Sequence, residues 1–277
     1  MAEDELEYFI EHRDKKYLFA FLDILAYSSK VRVKSAEDYI GDFIADIMAI
    51  EQEYVPEALN VVRNKQGLVS KVNTLIFSDS FCLYWEIGDY EDIEKNISEE
   101  EFRVLFDDVV DFICDIQNRA LNANILFRGA FSIGRHYEHN NVTVSEALVK
   151  AHDAEGYTIN GPRIGIDLLQ ENEFFNVPDF AQNLISSGRM KQEGNILYID
   201  YLQMFRRVNT WHPLNKTVEI ITIKNNKNSY FDNISLIEQD NFISPDKKPR
   251  IIEKYNWLKK YHNEKCEELG YPEYVIE

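Results

Sequence analysis

The run TLIFSDSFCLYW, residues 74–85, places a short polar step between two apolar segments. Each segment is too short to form a free helix and is rich in aromatic and β-branched residues, which is typical of β-strands. The polar step is Ser78-Asp79-Ser80, and these residue types favour a turn. The run therefore predicts a β-hairpin with Asp79 in its turn.

A second apolar segment, YLFAFLDILAYSS at residues 17–29, also carries one carboxylate. It predicts a strand over Tyr17–Asp23, followed by small residues and by a helical pattern between residues 40 and 50. Ser28 or Ser29 is a candidate N-cap for that helix. The turn before the helix leaves backbone N–H groups that suit a phosphate. These groups belong to Leu25, Ala26, Tyr27 and Ser28.

Asp23 and Asp79 share a sequence context, because each follows an apolar strand and precedes small or hydroxyl-bearing residues. Taken singly, either residue is explained as a strand-end or turn residue. A carboxylate at the end of a buried strand is costly, however, unless a cation meets it. As a pair, the two predict a site for two divalent metal ions that also hold a triphosphate. The carbonyl of Ile24 is a candidate for a further oxygen ligand.

The rest of the chain alternates strands with helices, which predicts a layered α/β or α+β fold. The acidic segment Glu86–Asp111 contains an amphipathic helix, and we expect its charges to face solvent. In the strand Asn124–Gly134, Gly129 and Gly134 permit close backbone approach. The other predicted elements are a polar turn over Arg135–Asn141, a return strand Val142–Val144, a helix from Ser145 to Glu155, strands Pro162–Leu169 and Asn195–Leu202, and a basic helix Lys247–Leu269.

Several polar side chains in these elements are candidates for chemistry. Arg128 lies inside an apolar strand, so its guanidinium needs either a carboxylate or a phosphate as partner. His136 and His139 have a spacing that metal sites use, but their predicted position in a turn favours two exposed, non-ligating histidines. His152 lies mid-helix beside Lys150, where a position on the helix surface is the simpler explanation.

Composition excludes several classes of function. The chain has 277 residues and a formal net charge of −18, which argues against sequence-independent binding of nucleic acid. No apolar run approaches the ~18 residues of a membrane helix, and the acidic N-terminus is unlike a secretion signal. The three cysteines are odd in number and far apart, so no disulfide framework is predicted. We expect a cytoplasmic protein.

The order of these parts resembles the catalytic domain of the class III nucleotidyl cyclases. That family has a strand ending in a metal-binding Asp, a phosphate-binding turn and helix, a hairpin carrying a second Asp, an Arg/Gly-bearing strand, a return strand and a helix. The motifs are FLDIL (21–25), FSDS (77–80), RGA (128–130), ALVKAHDAE (147–155) and PRI (162–164). Within the class they look most like the bacterial pyrimidine cyclases of the Pycsar anti-phage system. The resemblance covers roughly residues 15–205.

The resemblance implies an α+β fold with a ferredoxin-like βαββαβ core and a helical C-terminal elaboration. The expected organisation is one domain over residues 1–277, in which 206–277 pack on the core. It implies a nucleoside triphosphate substrate, two Mn²⁺ or Mg²⁺ ions held by Asp23, Asp79 and the Ile24 carbonyl, and a homodimer with sites at the subunit interface. Its cyclic product would activate a separate effector, with no nucleic acid or membrane involved.

One helix departs from the family pattern. Purine cyclases commonly carry Asn and Arg four residues apart on the last motif helix, whereas the alignment here gives Val149 and Asp153. Lys150, His152 and Arg128 are the candidates to replace that pair, with Arg128 and Lys150 as catalytic cations that stabilise the leaving pyrophosphate. His152 is the candidate nucleotide contact.

The identity of the base is predicted from the size of nearby side chains. Tyr27 beside the first metal Asp and Trp85 at the end of the hairpin would narrow the base slot, which favours pyrimidines, with UTP ahead of CTP.

Three alternatives stay open. They are a purine (adenylate or guanylate) cyclase, a catalytically silent nucleotide-binding module, and a different two-metal phosphoryl enzyme such as a nucleotidyltransferase or phosphodiesterase.

Overall fold

The computed structural model describes residues 14–33, 49, 52, 72–77, 79–139, 142–159, 161–170, 174–177, 179–203 and 214–277. Its strands are β1 Lys15–Ile24, β2 Asn73–Phe77, β3 Ser80–Asp89, β4 Phe127–His139, β5 Val142–Ser145, β6 Ile164–Asp167, β7 Met190–Glu193 and β8 Ile196–Ile199. Its α-helices are α1 Tyr27–Val33, α2 Glu99–Ala120, α3 Glu146–Asp153, α4 Phe180–Ser186, α5 Leu214–Gln239, α6 Lys248–Glu253 and α7 Tyr255–Leu269. A π-helical turn, Ala154–Ile159, continues α3.

The sheet has the order β2-β3-β1-β4-β6-β8-β7, with β5 paired to β4. Strands β2, β3, β1 and β4 pair antiparallel in turn, with β1 between β3 and β4, whereas β4 pairs β6 in parallel. Together with α1 and α2 they give the βαββαβ order of a ferredoxin-like core. The prediction of a mixed α+β fold is confirmed, and the hairpin forms where the apolar runs predicted it.

Strand β1 is buried on both faces, so it forms the centre of the molecule. One face packs against α2, which begins at a capping box between Ser98 and Glu101 and turns its apolar side to the sheet. Phe106 of α2 lies against Phe131 of β4, with ring centroids 5.0 Å apart. The first-turn glutamates of α2 are exposed as the amphipathic pattern predicted, whereas Asp107 and Asp111 are half-buried and pair with Arg189.

The other face of β1 packs against α3 through small residues. Tyr17, Phe19 and Phe21 form a second apolar cluster with Ala147 and Ala151. A Cβ added at Gly134 would lie 2.8 Å from the backbone nitrogen of Ala147. One added at Gly129 would lie 2.0 Å from the carbonyl oxygen of Phe21. The predicted close approach at both glycines is therefore present: Gly129 allows it toward β1, and Gly134 lets α3 pack directly on the sheet.

The C-terminal helices join the core on the α2 side of the sheet. Ile237, Tyr255, Leu258 and Tyr261 are buried in the same apolar cluster as Leu18. The Tyr261 hydroxyl donates a hydrogen bond of 2.8 Å to Asp200, just beyond β8. The Lys265 ammonium pairs with the same carboxylate at 2.6 Å. Described residues of the C-terminal segment thus pack on the sheet itself.

Several local predictions differ from the structure. The polar segment predicted as a turn over Arg135–Asn141 is wrong for residues 135–139, which continue β4 because they pair with β5. Ser28 and Ser29 lie inside the first turn of α1, since that helix begins at Tyr27. The predicted helix Lys247–Leu269 is two helices that meet at Lys254. The helical pattern of residues 40–50 lies almost wholly outside the described residues.

The described helices differ from membrane spans. None of them combines the length and the apolar content that crossing a bilayer requires.

Candidate active site

The fold brings Asp23 and Asp79 to one place. Asp23 is the second-last residue of β1, and Asp79 lies in the turn between β2 and β3, next to the strand that pairs with β1. The Ile24 N–H donates a hydrogen bond of 3.0 Å to the carbonyl of Asp79, and the Ser80 hydroxyl lies 3.4 Å from a carboxylate oxygen of Asp23. Backbone pairing therefore fixes the two aspartates relative to each other.

Both aspartates line a cavity of about 310 Å³ at the end of β1, beside the turn between β2 and β3. The first strand–helix turn forms one wall, and the C-terminal helices form the wall opposite. The lining residues are Asp23, Ile24, Leu25, Ala26, Tyr27, Ser28, Ser29, Asp79, Arg128, Gly161, Ile237, Ile243, Ile251, Lys254 and Tyr255.

Arg128 joins Asp23 to a third carboxylate. Its Nε and Nη2 atoms lie 2.8 and 2.7 Å from Oδ2 of Asp23, and its Nη1 lies 2.9 Å from Oε1 of Glu155. The partner that the sequence left open is thus a carboxylate on both sides of the guanidinium. In this arrangement Arg128 holds Asp23 in position and compensates part of its charge.

Burial dominates the electrostatics of these carboxylates. It raises the pKa of Asp23 above its usual range, and the neighbouring charge of Asp79 adds to that shift while Arg128 opposes it. Burial also raises the pKa of Glu155, again against the effect of Arg128. The site therefore concentrates negative charge that one guanidinium compensates only in part.

The predicted phosphate-binding turn lies on the same cavity. Ala26 has a left-handed backbone with φ of 57°, which turns the chain from β1 into α1. The Leu25 N–H already donates to the carbonyl of Leu126 at 2.9 Å. The prediction that this amide binds phosphate is therefore wrong for the observed conformation. The first N–H groups of α1, including that of Ser28, have no acceptor within the helix itself.

Two predicted site residues lie elsewhere on the subunit. The Lys150 ammonium pairs with Glu146 at 2.7 Å on the outer side of α3, and the His152 side chain is 66% exposed. Neither residue lines the cavity. Trp85 is buried in the core against Phe112, so the prediction that it narrows the base slot is wrong.

The two histidines of β4 also differ from their prediction. His136 is buried rather than exposed, because β4 continues through it and turns its ring toward Tyr84, with centroids 4.1 Å apart. Burial lowers the pKa of His136. In the described part of the chain, no group of three or more His, Cys, Asp or Glu residues is placed to hold a metal ion.

Three residues of the site were missed by sequence reasoning. Glu155 closes the far side of Arg128, and Lys254 and Tyr255 line the cavity from the joint between α6 and α7. Glu155 is the last residue of the quoted helical motif, and its carboxylate could have been considered as a partner for Arg128. Nothing in the local pattern around Lys254 relates it to Asp23.

The donor set can be compared with the predicted metal ions. Asp23, Asp79 and the Ile24 carbonyl offer oxygen atoms alone, which is the chemistry that Mg²⁺ and Mn²⁺ prefer. The two carboxylates are close enough for the charge of Asp79 to raise the pKa of Asp23, so a cation between them would relieve that repulsion. These residues therefore fit a divalent cation that completes its shell with water and substrate oxygens.

No protein-family model matches the chain, and no curated protein matches its sequence. Among solved structures, it is similar to class III adenylyl and guanylyl cyclase domains at low identity. The guanylyl cyclase domain of the RhoGC fusion protein from the aquatic fungus Blastocladiella emersonii is 11% identical, with a TM-score of 0.38 over 67% of this chain and 96% of that one. The adenylyl cyclase CyaB from P. aeruginosa is 10% identical, with a TM-score of 0.36 over 67% of this chain and 93% of that one. The guanylyl cyclase Cya2 is 10% identical, with a TM-score of 0.35 over 68% of this chain and 94% of that one. Similarity at this level does not identify a reaction.

Proposed function

We propose that this chain is a pyrimidine nucleotide cyclase, which converts UTP, or CTP as second choice, to the 3′,5′-cyclic monophosphate and pyrophosphate. One observation carries the proposal. Asp23 and Asp79 come from β1 and from the hairpin turn, and both line the cavity beside the turn into α1. This matches the order of motifs in which the sequence resembles class III cyclases.

In the proposed reaction the substrate's 3′-oxygen bonds to the α-phosphorus, while the bond from that phosphorus to the pyrophosphate oxygen breaks. The 3′-hydroxyl gives up its proton, and pyrophosphate leaves with the electron pair. Divalent ions held by Asp23, Asp79 and the Ile24 carbonyl would neutralise the charge that develops. The first-turn amides of α1 face the terminal phosphates.

Arg128 has a positioning role in this proposal. Its guanidinium is shared between Asp23 and Glu155, so its charge acts on the metal ligand rather than on the leaving group. This changes the role that the sequence resemblance gave it. Lys150 and His152 keep a catalytic and a nucleotide-binding role only if a second subunit presents them to the cavity.

The preference for a pyrimidine rests on Tyr27 and on the resemblance to the bacterial Pycsar cyclases. Tyr27 lines the cavity beside Asp23, and a phenol ring there leaves less room for a two-ring base. Uracil and cytosine differ at one edge position of the base, where uracil has a carbonyl acceptor and cytosine has an amino donor. A donor such as Arg, Lys or Asn at that position would favour uracil, and UTP is the proposed first substrate.

The biological setting follows from the same resemblance. We place the enzyme in the cytoplasm as a homodimer whose residues 1–277 act as one domain. Its cyclic nucleotide would activate a separate effector in anti-phage defence.

Incubating the purified protein with each of the four ribonucleoside triphosphates and Mn²⁺, then identifying the products, tests the proposal. We expect cyclic UMP as the main product, with cyclic CMP second. Faster product formation from ATP or GTP would overturn the pyrimidine assignment and leave a purine cyclase.

A second candidate, a nucleotide-binding module without turnover, is favoured by one observation. The Arg128 guanidinium lies 2.7 Å from Oδ2 of Asp23, so it competes with a metal ion for that oxygen. Such a module would bind triphosphate and Mn²⁺ but release no pyrophosphate in the same incubation.

A further inference from the structure

Lys254 occupies an unusual position in the C-terminal extension. It is the residue at which α6 ends and α7 begins, and its half-buried side chain lines the cavity that contains Asp23 and Asp79. The following residue, Tyr255, is buried in the core and fixes this joint against the sheet. The C-terminal extension thus places a cation beside the two aspartates of the same chain.

The two cations that line the cavity, Arg128 and Lys254, differ in whether they form ion pairs. Arg128 is committed to Asp23 and Glu155. Among the described residues, the Lys254 side chain makes no hydrogen bond or ion pair, although its charge acts across space on Glu155. Lys254 is therefore a cation of this cavity whose hydrogen-bond donors remain available to a ligand.

A second cavity continues the first past Lys254. It measures about 660 Å³ and shares Ile251 and Lys254 with the cavity of the aspartates. Lys247 and Arg250 also line it, together with one acidic residue, Glu253, so its wall carries a net positive charge in a protein whose formal net charge is −18. An anion that extends from the aspartates toward Lys254 would therefore enter a region of locally positive potential.

The C-terminal extension is also tied to α1, at the end of α5. Asp240, directly after α5, accepts a hydrogen bond of 2.8 Å from the Ser29 hydroxyl and lies 3.5 Å from Arg32. The turn into α1 and the C-terminal helices are thus held as two facing walls. A polyphosphate in the cavity between them would meet the Lys254 ammonium, which lines it.

We propose that Lys254 binds the β- and γ-phosphates of the triphosphate, in cis with Asp23 and Asp79. This inference rests on the proposed function, in which those phosphates leave as pyrophosphate. It gives the C-terminal extension a direct role in the site, and it supplies a phosphate-binding cation on the chain that carries the metal-binding aspartates.

The test measures binding of inorganic tripolyphosphate to the full-length protein by calorimetry, with Mg²⁺ present and without any nucleotide. The variants are Lys254→Gln and Lys254→Arg. Lys260→Gln is the matched control, because Lys260 lies on the same helix and pairs with Glu193 at 3.6 Å away from the cavity. We expect Lys254→Gln to raise the dissociation constant about tenfold or more, which corresponds to a lost charge-assisted contact. Lys254→Arg should recover most of the affinity, and Lys260→Gln should not change it.

Turnover of UTP by the same variants separates this inference from the proposed function. If the wild-type protein makes cyclic UMP and Lys254→Gln alters neither tripolyphosphate binding nor KM, the role of Lys254 is refuted and the cyclase proposal stands. If no triphosphate is cyclised but tripolyphosphate binding depends on Lys254, the polyphosphate site stands and the cyclase proposal fails. Equal weakening by Lys260→Gln would reduce the effect to net charge and refute a specific site.

Discussion

Arg128 illustrates how one residue positions the carboxylate of Asp23. A guanidinium in an apolar strand needs a partner, and here Asp23 and Glu155 hold it from two sides. The cost of burying three charges is reduced because each carboxylate contacts the guanidinium. The result is an Asp23 side chain with a fixed orientation toward the cavity.

The first prediction concerns Asp79. Asp79→Asn should abolish turnover while leaving the fold nearly intact, because the change deletes a metal ligand and also removes repulsion with Asp23 in the metal-free protein. Cyclic nucleotide production and thermal unfolding would be measured together, with Asp23→Asn in parallel. A variant that keeps more than about a tenth of wild-type activity, a loss under ~1.4 kcal/mol, would contradict the metal assignment.

A second prediction uses the raised pKa of Glu155. A carboxyl whose folded-state pKa is raised binds its proton more tightly when folded. Its contribution to stability is therefore complete below the usual value of 4.5 and is lost as the pH rises through the raised value. Glu155→Gln lacks this dependence, so its unfolding free energy relative to wild type should increase as the pH rises above about 4.5. Urea unfolding of the metal-free proteins at several pH values would measure this, and a difference that stays constant with pH would be the contrary result.

At the scale of elements, Asp240 connects the C-terminal helices to α1. Its side chain is fully buried, and it accepts hydrogen bonds from the Ser29 hydroxyl and the Phe242 N–H. The position of the turn into α1 therefore depends on a residue far along the chain. This connection also holds the end of α5 against α1.

Asp240→Ala should lower the unfolding free energy by about 1–3 kcal/mol, because the buried hydroxyl of Ser29 loses its acceptor. The KM for UTP should rise as well, since the walls of the cavity separate. Asp246→Ala is the control, because Asp246 is exposed and pairs with Ser244 beyond α5. Equal effects of the two variants on KM would argue against a link between Asp240 and the site.

Elements with a clear local pattern were predictable from the sequence, and others were not. Strand β1, the hairpin and α2 each bury an apolar set that the sequence shows directly. Helix α5 escaped prediction because its buried positions include Thr222, Asn226, Ser229 and Asn233, so its inner face is polar. Residues 135–139 extend β4 because Arg135 pairs with Lys16 of β1 and residues 136–139 pair with β5.

At the scale of the whole molecule, the site was predictable only in part. Asp23 and Asp79 were found because each interrupts an apolar strand, which is a local signal. The contacts of Glu155 and the position of Lys254 depend on how α3 and the C-terminal helices pack on the sheet. Lys150 and His152 lie outside the cavity of their own subunit, which is where a shared, dimeric site would place residues that act on the partner.

Mixing two inactive variants tests that shared site. Asp23→Asn and Lys150→Gln should complement each other in mixed dimers, because one of the two sites then contains both native residues. With random pairing, activity should return to about a quarter of wild type. Asp23→Asn and Lys254→Gln should show no such recovery, since both residues act in one subunit. Failure of the first pair to complement would contradict the proposed role of Lys150 in trans.

If the Asp23–Asp79 cavity cyclises a triphosphate, cyclic nucleotide and pyrophosphate must form in equal amounts. UTP is incubated with the protein and Mn²⁺, and cyclic UMP and pyrophosphate are quantified at several times. We predict that the two products appear one for one, and that both are lost in Asp79→Asn. Pyrophosphate without cyclic UMP, release of inorganic phosphate in its place, or unchanged turnover by Asp79→Asn would contradict the claim.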